Sequence, residues 1–576
     1  MHIYNRIALF SSSLLLMAAC KKSVPTGGDV TPPTDTTVTV VTPTDPETAK
    51  TIGFFLDDWK AKTFTVPAYT DGTVPAAAVA TITVDASTVV TKIPPTLFSN
   101  NANLWMGNFT DATLLSHITD QHPGIIRFPG GSISDVFFWN SDKNVKPAGA
   151  PDNLLNADGL SAAAGYWYGK NTDDWTCSVD NYYNMLQQTG NKGMITVNYG
   201  YARYGTADDP VAAAAHLAAD WVRYDNGRTK YWEIGNENAG SWEAGYRIDQ
   251  SKNKDGQPEF ITGDLYGKHA KVFVDSMKKA AQEIGATIFI GAQLVEHTPA
   301  GWEPAATQTW NAGVLPQVNA SADYFIVHNY FTAYNTNAPA SEILATAATV
   351  TRMMSDVVSQ SLTAASATAK PLALTEYNIF STGSKQMVSQ VAGMHAILVL
   401  NELLKNKYGF AARWDLSNGW DNGNDHGLYN AGDEPDAVKW NPRPAFYYLY
   451  FFQKMLGDRF INTSVSGGNN LSTYASTYSS GQIGVTIVNQ SNTTQSAQLK
   501  FKNFNAGTRF YWYSLVGGTD GGEFSRQVYV NGSGPSGVSG GPSDYASLKA
   551  YSAATSGGIR VDVPARSVIF IAVDKK

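Results

Sequence analysis

Two glutamates close strand-like runs that lie far apart in the chain. Glu237 ends KYWEIGNE, which starts at Lys230, and Glu376 sits in Leu374-Thr375-Glu376-Tyr377-Asn378. Tyr231, Trp232 and Ile234 suit a pleated, buried segment, and Gly235 admits close backbone approach just before Asn236 and Glu237 emerge. A pair of carboxyl groups can divide proton transfer and nucleophilic attack when the fold brings them together and their surroundings separate their proton affinities. The carboxyl ends of strands in a parallel barrel are where such sites are built. Glu243, Glu296 and Glu303 are rival acids, but they fall in loops without a strand end before them.

The elements that must position this pair follow from Pro95 onward, where strands alternate with helices and point to a parallel sheet wrapped by helices. The strand segments are 96–106, 124–128, 193–199, 230–237, 287–293, 324–330, 371–377 and 410–415. Between them, Asp209 caps a helix with Pro210 in its first turn, and Asn226-Gly227 stops it. A second helix carries Val272, Phe273, Met277, Ala281 and Ile284 on one face and ends at Gly285. Further helices are predicted over 385–406 and 444–456. Eight strand–helix units over 96–457 give a (β/α)8 TIM barrel, in which Glu237 follows the fourth strand and Glu376 the seventh. Short alternating runs separated by Gly, Ser and Asn turns then predict an all-β sandwich over 458–576, joined by strands from 51–95.

The amino terminus carries a different signal. Arg6 precedes the apolar run Ile7 to Ala19, too short to span a bilayer and shaped like a secretory signal, and it ends in Met17-Ala18-Ala19-Cys20. That ending resembles a bacterial lipobox, with Cys20 lipidated. The Thr- and Pro-rich stretch 21–50 reads as a disordered tether, and the chain is expected on the cell envelope, surface-exposed or periplasmic. With Cys20 so used, Cys177 has no partner and reads as a packed, inert thiol. The net charge of -7, from 42 basic and 49 acidic residues, leaves no basic footprint for nucleic acid. No metal cluster, phosphate loop or cofactor fingerprint is present, so neither metal nor cofactor is expected; the loop DNGNDH at 421–426 departs from calcium-loop spacing.

The strand-four and strand-seven glutamates, in this order, resemble glycoside hydrolase clan A. Within that clan, Arg127-Phe128-Pro129-Gly130-Gly131 with Trp139 behind it is similar to the RxPGG segment of α-L-arabinofuranosidases, and His328-Asn329-Tyr330 to their HxY. The resemblance spans about Thr96 to Asp415 and implies a retaining hydrolase with Glu237 as acid/base and Glu376 as nucleophile. It implies also that Asn236 donates to a sugar 2-hydroxyl and that Tyr330 holds the nucleophile. Arg127 either supports the nucleophile or neutralises Glu233, and His328 is either a core residue or a ligand contact. Asn198 joins this substrate-binding set, and Trp139, Tyr199, Trp242, Trp302 and Trp414 are aromatic surfaces on which a sugar can stack. The expected substrate is a plant or algal polysaccharide, with α-L-arabinofuranosidase first and endo-glycanase of β-agarase type, β-glucuronidase and β-xylosidase open. The reading from a different class is a surface glycan-binding lipoprotein without catalysis.

Overall fold

The computed structural model describes residues 43–576, so Cys20, the signal segment and most of the expected tether lie outside the described residues. Eight parallel strands close into a barrel: β1 (Ser99–Asn101), β2 (Ile125–Phe128), β3 (Lys192–Val197), β4 (Thr229–Ile234), β5 (Phe289–Gln293), β6 (Tyr324–Asn329), β7 (Leu372–Tyr377) and β8 (Phe410–Arg413). Closure is made where Ala412 of β8 pairs with Ser99 of β1. All eight expected strands are present. The first is shorter than 96–106, because 3-10 turns at Pro95–Leu97 and Leu104–Met106 flank it.

Each strand is followed by a helix: α1 (Ala112–Gln121), α2 (Val179–Thr189), α3 (Pro210–Asp225), α4 (Gly263–Glu283), α5 (Ala305–Val318), α6 (Ala340–Ala364), α7 (Gln390–Lys405) and α8 (Pro444–Met455). The Asp209 carboxylate accepts the Ala212 amide and caps α3, while Asn226 ends it in the left-handed region. In α4, Phe273, Met277 and Ala281 are buried as their spacing requires, but Val272 is exposed. A 100° step places it at the edge of the apolar stripe, and Ala280 takes the inward position instead.

Two segments before the barrel depart from expectation. Residues 43–50, assigned by composition to the tether, are held: Asp45 accepts from Arg459 at 2.5 and 3.0 Å and pairs with Lys92 at 3.1 Å. Residues 51–58 build no strand. The 3-10 turn Gly53–Leu56 inserts Phe54 and Phe55 among Tyr231, Phe289, Tyr324 and Phe410, which sit at the amino-terminal ends of the strands. Leu372 donates its amide to Thr51. The pair is a floor to the barrel, opposite the face that carries Glu237 and Glu376.

After α8 the chain is all β. The strand Ala80–Lys92 pairs antiparallel with Arg459–Gly467 and parallel with Gln495–Lys502, so the early residues complete the late domain. The strands hydrogen-bond into one continuous eleven-stranded sheet, not two separate ones. It wraps around a core of Ile82, Val84, Val485, Ile487, Leu499, Phe510, Val561 and Ile571. Its other face joins the barrel core through Tyr513, Val568 and Phe570, and Tyr474 donates to Glu402 of α7 at 2.8 Å. Cys177 is free and buried. Among the described residues no helix is long and apolar enough to cross a membrane.

Phe55 is 1% exposed, and the floor is rigid aromatic packing. Phe55→Ala is expected to destabilise the protein by about 3–5 kcal/mol, read as a lowered denaturation midpoint. Glu237 and Glu376 lie at the far end of the barrel, so their surroundings are expected to be unchanged well below that midpoint.

Candidate active site

The site is organised inside the barrel by Arg127, which is fully buried on β2. Its Nε donates to Glu233 of β4 at 2.5 Å and its Nη1 to Asn101 of β1 at 2.9 Å and Glu376 of β7 at 2.8 Å. Its Nη2 donates to Asn236 at 2.9 Å. Arg127 pairs with both Glu233 and Glu376, because a planar fork can serve several acceptors at once. Thr196 of β3 gives Glu233 a further bond at 2.9 Å. Burial alone would lower the guanidinium's proton affinity, but Glu233 and Glu376 outweigh it and hold the charge firmly.

The end of β4 leaves regular geometry. Gly235 has φ 70° and Glu237 φ 43°, and a side chain at Gly235 would run into Asn238 and Tyr199. Left-handed backbone at a glutamate is costly, of order 1–3 kcal/mol, and persists only when its neighbours enforce it. Asp135 does so. One of its oxygens accepts the amides of Tyr199 at 3.0 Å and Gly200 at 2.9 Å. The other accepts the Asn236 amide at 3.1 Å and Asn238 Nδ2 at 2.7 Å. From β5, Gln293 accepts the Asn238 amide at 2.9 Å and donates to the Ile234 carbonyl at 2.8 Å, replacing the ladder that the turn interrupts. Burial raises the Asp135 carboxyl to about 7 against these four donors.

Glu237 and Glu376 meet. One carboxyl oxygen of each and a ring nitrogen of His328 all lie within 4.8 Å of one another. His328 stands at the end of β6, where a register irregularity after Val327 sets it opposite Glu376. Its Nδ1 is 2.8 Å from Glu237 and its Nε2 2.9 Å from the Thr375 hydroxyl. Tyr330 donates to Glu376 at 2.9 Å and stacks on Phe380 with ring centroids 4.2 Å apart. Trp242 donates from its indole to Glu237 at 3.1 Å while its ring stays exposed.

The expected order of proton affinities is reversed. Burial raises Glu237, but the bond and charge of His328, then Trp242 and Arg127, outweigh it and hold the carboxyl below its usual range. Glu376 is raised: burial and the Glu237 charge exceed the pull of His328, Arg127 and Tyr330. Burial would lower His328, yet the two glutamates raise it. His328 lowers Glu237 the more, through a direct hydrogen bond; it sits 3.8 Å from Glu376, where burial and the Glu237 charge outweigh its pull. Among the described residues these three side chains are the set spaced to ligate a divalent cation, although the Arg127 charge on Glu376 opposes a second cation there.

Trp139, Asn198 and Tyr199 are engaged elsewhere. Trp139 donates to the Leu217 carbonyl at 2.9 Å and stacks on Trp221, both of α3, so it packs a helix against the barrel. Asn198 accepts the Tyr201 amide at 2.9 Å and donates to Phe137 and Tyr204, spending its amide on the turn after β3. Tyr199 is buried against His269. Trp302 is exposed on the loop after β5. Trp414 packs over Gly130 and Gly131, which have no Cβ to keep its ring away. Two further acids belong to the site: Asp135, and Glu243, which accepts from Ser132 at 2.7 Å and Asn236 at 3.0 Å. Neither adjoins a strand end, and only the turn of the backbone brings them in.

No protein-family model matches this chain, and no curated protein does. Solved structures do. An α-L-arabinofuranosidase from Thermotoga maritima, determined as an arabinose complex, is 16% identical over 86% of this chain and 99% of its own, with a TM-score of 0.58. A family 51 α-L-arabinofuranosidase from Thermotoga petrophila RKU-1 gives 16%, 86%, 100% and 0.60. A Paenibacillus polymyxa xyloglucanase of family 44 gives 14%, 87%, 100% and 0.55. The chain has the fold of the clan A glycoside hydrolases. Its barrel and trailing β domain therefore match those of the enzymes its sequence motifs resemble.

Arg127→Met would strand Glu233 and Glu376 as buried acids without a cation. A loss of about 3–5 kcal/mol is expected in urea denaturation, partly recovered by adding Glu233→Gln. Burial, then the Arg203 charge, lowers His269 to about 4. Its folded value lies below its unfolded one, so the unfolded chain takes up the proton first. Stability present above pH 6.5 is thus lost as pH falls toward 4, by about 3 kcal/mol. His269→Gln is expected to flatten that part of the melting-temperature profile.

Proposed function

We propose that the chain is a retaining glycoside hydrolase acting on plant or algal polysaccharide, with an α-L-arabinofuranoside as the leading substrate. The observation that carries this reading is the approach of the Glu237 and Glu376 carboxyl oxygens to within 4.8 Å at the open end of the barrel. Retaining hydrolysis places its two acids about 5–5.5 Å apart, and inversion needs about 6.5 Å or more to admit a water. Glu376, held by Arg127 and Tyr330, attacks the anomeric carbon. The glycosidic C–O bond breaks as Glu237 protonates the leaving oxygen. Water then gives a proton back to Glu237 and displaces Glu376.

The reversed proton affinities fit this cycle through the His328–Glu237 bond. Its single proton makes either an imidazolium beside a carboxylate or a neutral imidazole beside a carboxylic acid. Water favours the charged form, and a sugar filling the cleft removes that water. The proton then belongs on Glu237, and the Thr375 hydroxyl can accept from Nε2 when His328 is neutral. Asn236 is the proposed donor to the sugar 2-hydroxyl, and the exposed Trp242 ring a surface for the leaving sugar. A second reading, an endo-acting glucanase or xylanase, is favoured by the xyloglucanase likeness and by that to CelM2, described as a bifunctional glucanase-xylanase from a metagenome library. The lipobox-like Cys20 supports placing this activity on the cell envelope.

The test is hydrolysis of 4-nitrophenyl α-L-arabinofuranoside, arabinoxylan, xyloglucan and agarose, with the first-formed anomer read by NMR. Retention is expected. Glu376→Gln is expected to abolish turnover, and Glu237→Gln to slow it by roughly 10²–10⁴, least for the activated nitrophenyl leaving group. An inverted anomer, or a Glu376→Gln variant as fast as the parent, overturns the assignment.

A further inference from the structure

Glu243 has no part in the two-carboxylate cycle, yet it is 4% exposed six residues beyond Glu237 with no cation against it. Its Oε1 receives Asn236 Nδ2 at 3.0 Å and the Ser132 hydroxyl at 2.7 Å, and its buried Oε2 has no hydrogen-bond partner. The Asn236 amide is thereby fixed at both ends. Its oxygen accepts from Arg127 Nη2 at 2.9 Å, and one of its two N–H groups is given to Glu243. An amide held this way cannot turn over, because either flip would set donor against donor or acceptor against acceptor.

We propose that Glu243 is a positioning residue: by accepting one Asn236 hydrogen it keeps the other N–H for the 2-hydroxyl of the bound sugar. The inference rests on the glycosidase reading and deepens it. Burial first, then the charges of Asp135 and Glu237, push the Glu243 carboxyl well above its usual range. Both bonds that Glu243 makes are accepted by the one oxygen, Oε1. Only its acceptor oxygen is needed, so glutamine is an adequate replacement. Ser132, within the Arg127-Phe128-Pro129-Gly130-Gly131-Ser132 run, ties that acceptor to the loop after β2. Strand two thus fixes Asn236 twice, through Arg127 and through Ser132.

The test compares the parent, Glu243→Gln, Glu243→Leu and Glu243→Asp on the nitrophenyl glycoside that the parent cleaves best and on its 2-deoxy analogue. Glu243→Gln is expected within about threefold of the parent in kcat/KM. Glu243→Leu and Glu243→Asp, which remove or withdraw the acceptor, are expected to lose about 10–100-fold, chiefly in kcat, since the 2-hydroxyl bond strengthens in the transition state. On the 2-deoxy substrate these losses should vanish, and adding Glu243→Leu to Asn236→Ala should cost nothing more. Glu243→Asp reads the same quantities if the leucine variant does not fold. A Glu243→Gln variant as slow as Glu243→Asp, or a loss equal on both substrates, overturns the role of Glu243 while leaving the hydrolase reading intact. A parent that cleaves no glycoside defeats both.

Discussion

The buried Arg127 guanidinium is the constraint on which the rest of the structure depends. It reaches acceptors on β1, β4 and β7 and on the turn after β4, so one side chain sets how four parts of the barrel face one another. A charge with no water around it must be matched, and two glutamates match it. One, Glu233, is structural in position, and the other stands at the cleft. The Glu376 carboxylate is therefore located by the same interaction that allows the barrel interior to be polar at all.

Around that centre the fold converts local irregularity into placement. The strained turn at Gly235 to Asn238 would relax without Asp135 and Gln293, which take up the backbone and amide groups the broken ladder leaves free. His328 gains its position from a slip in the β6–β7 pairing. Regular strands would have pointed these side chains to alternate faces of the sheet wall. The departures from regularity bring Glu237, His328 and Glu376 to one point.

Much of this was legible in the sequence where periodicity or spacing carried it. Eight strands, the caps of α3 and the two strand-end glutamates follow from patterns that local chemistry enforces. Trp139 and Asn198 did not, because an indole near a barrel mouth and an amide after a strand have the same local signature whether they meet a sugar or a neighbouring turn. The structure gives both to packing. Glu243 lies in a loop with no strand end before it, and the bend that carries it back beneath Asn236 depends on backbone angles that no residue pattern announces. The floor formed by Phe54 and Phe55 was hidden for a similar reason: two aromatics in a short turn say nothing of the opening they close. The reversed proton affinities arise from groups on β6, on β7 and on the turn after β4 and have no counterpart in any single segment.

The left-handed backbone at Glu237 carries an evolutionary consequence. A residue that sits uncomfortably in its own main chain makes the native state less robust than the sequence could allow, and asparagine or glycine there would relieve the discomfort while removing the acid. Thermal robustness and the proposed turnover thus pull in opposite directions at this position. A lineage selected for hardiness alone would be expected to lose the proposed acid here first.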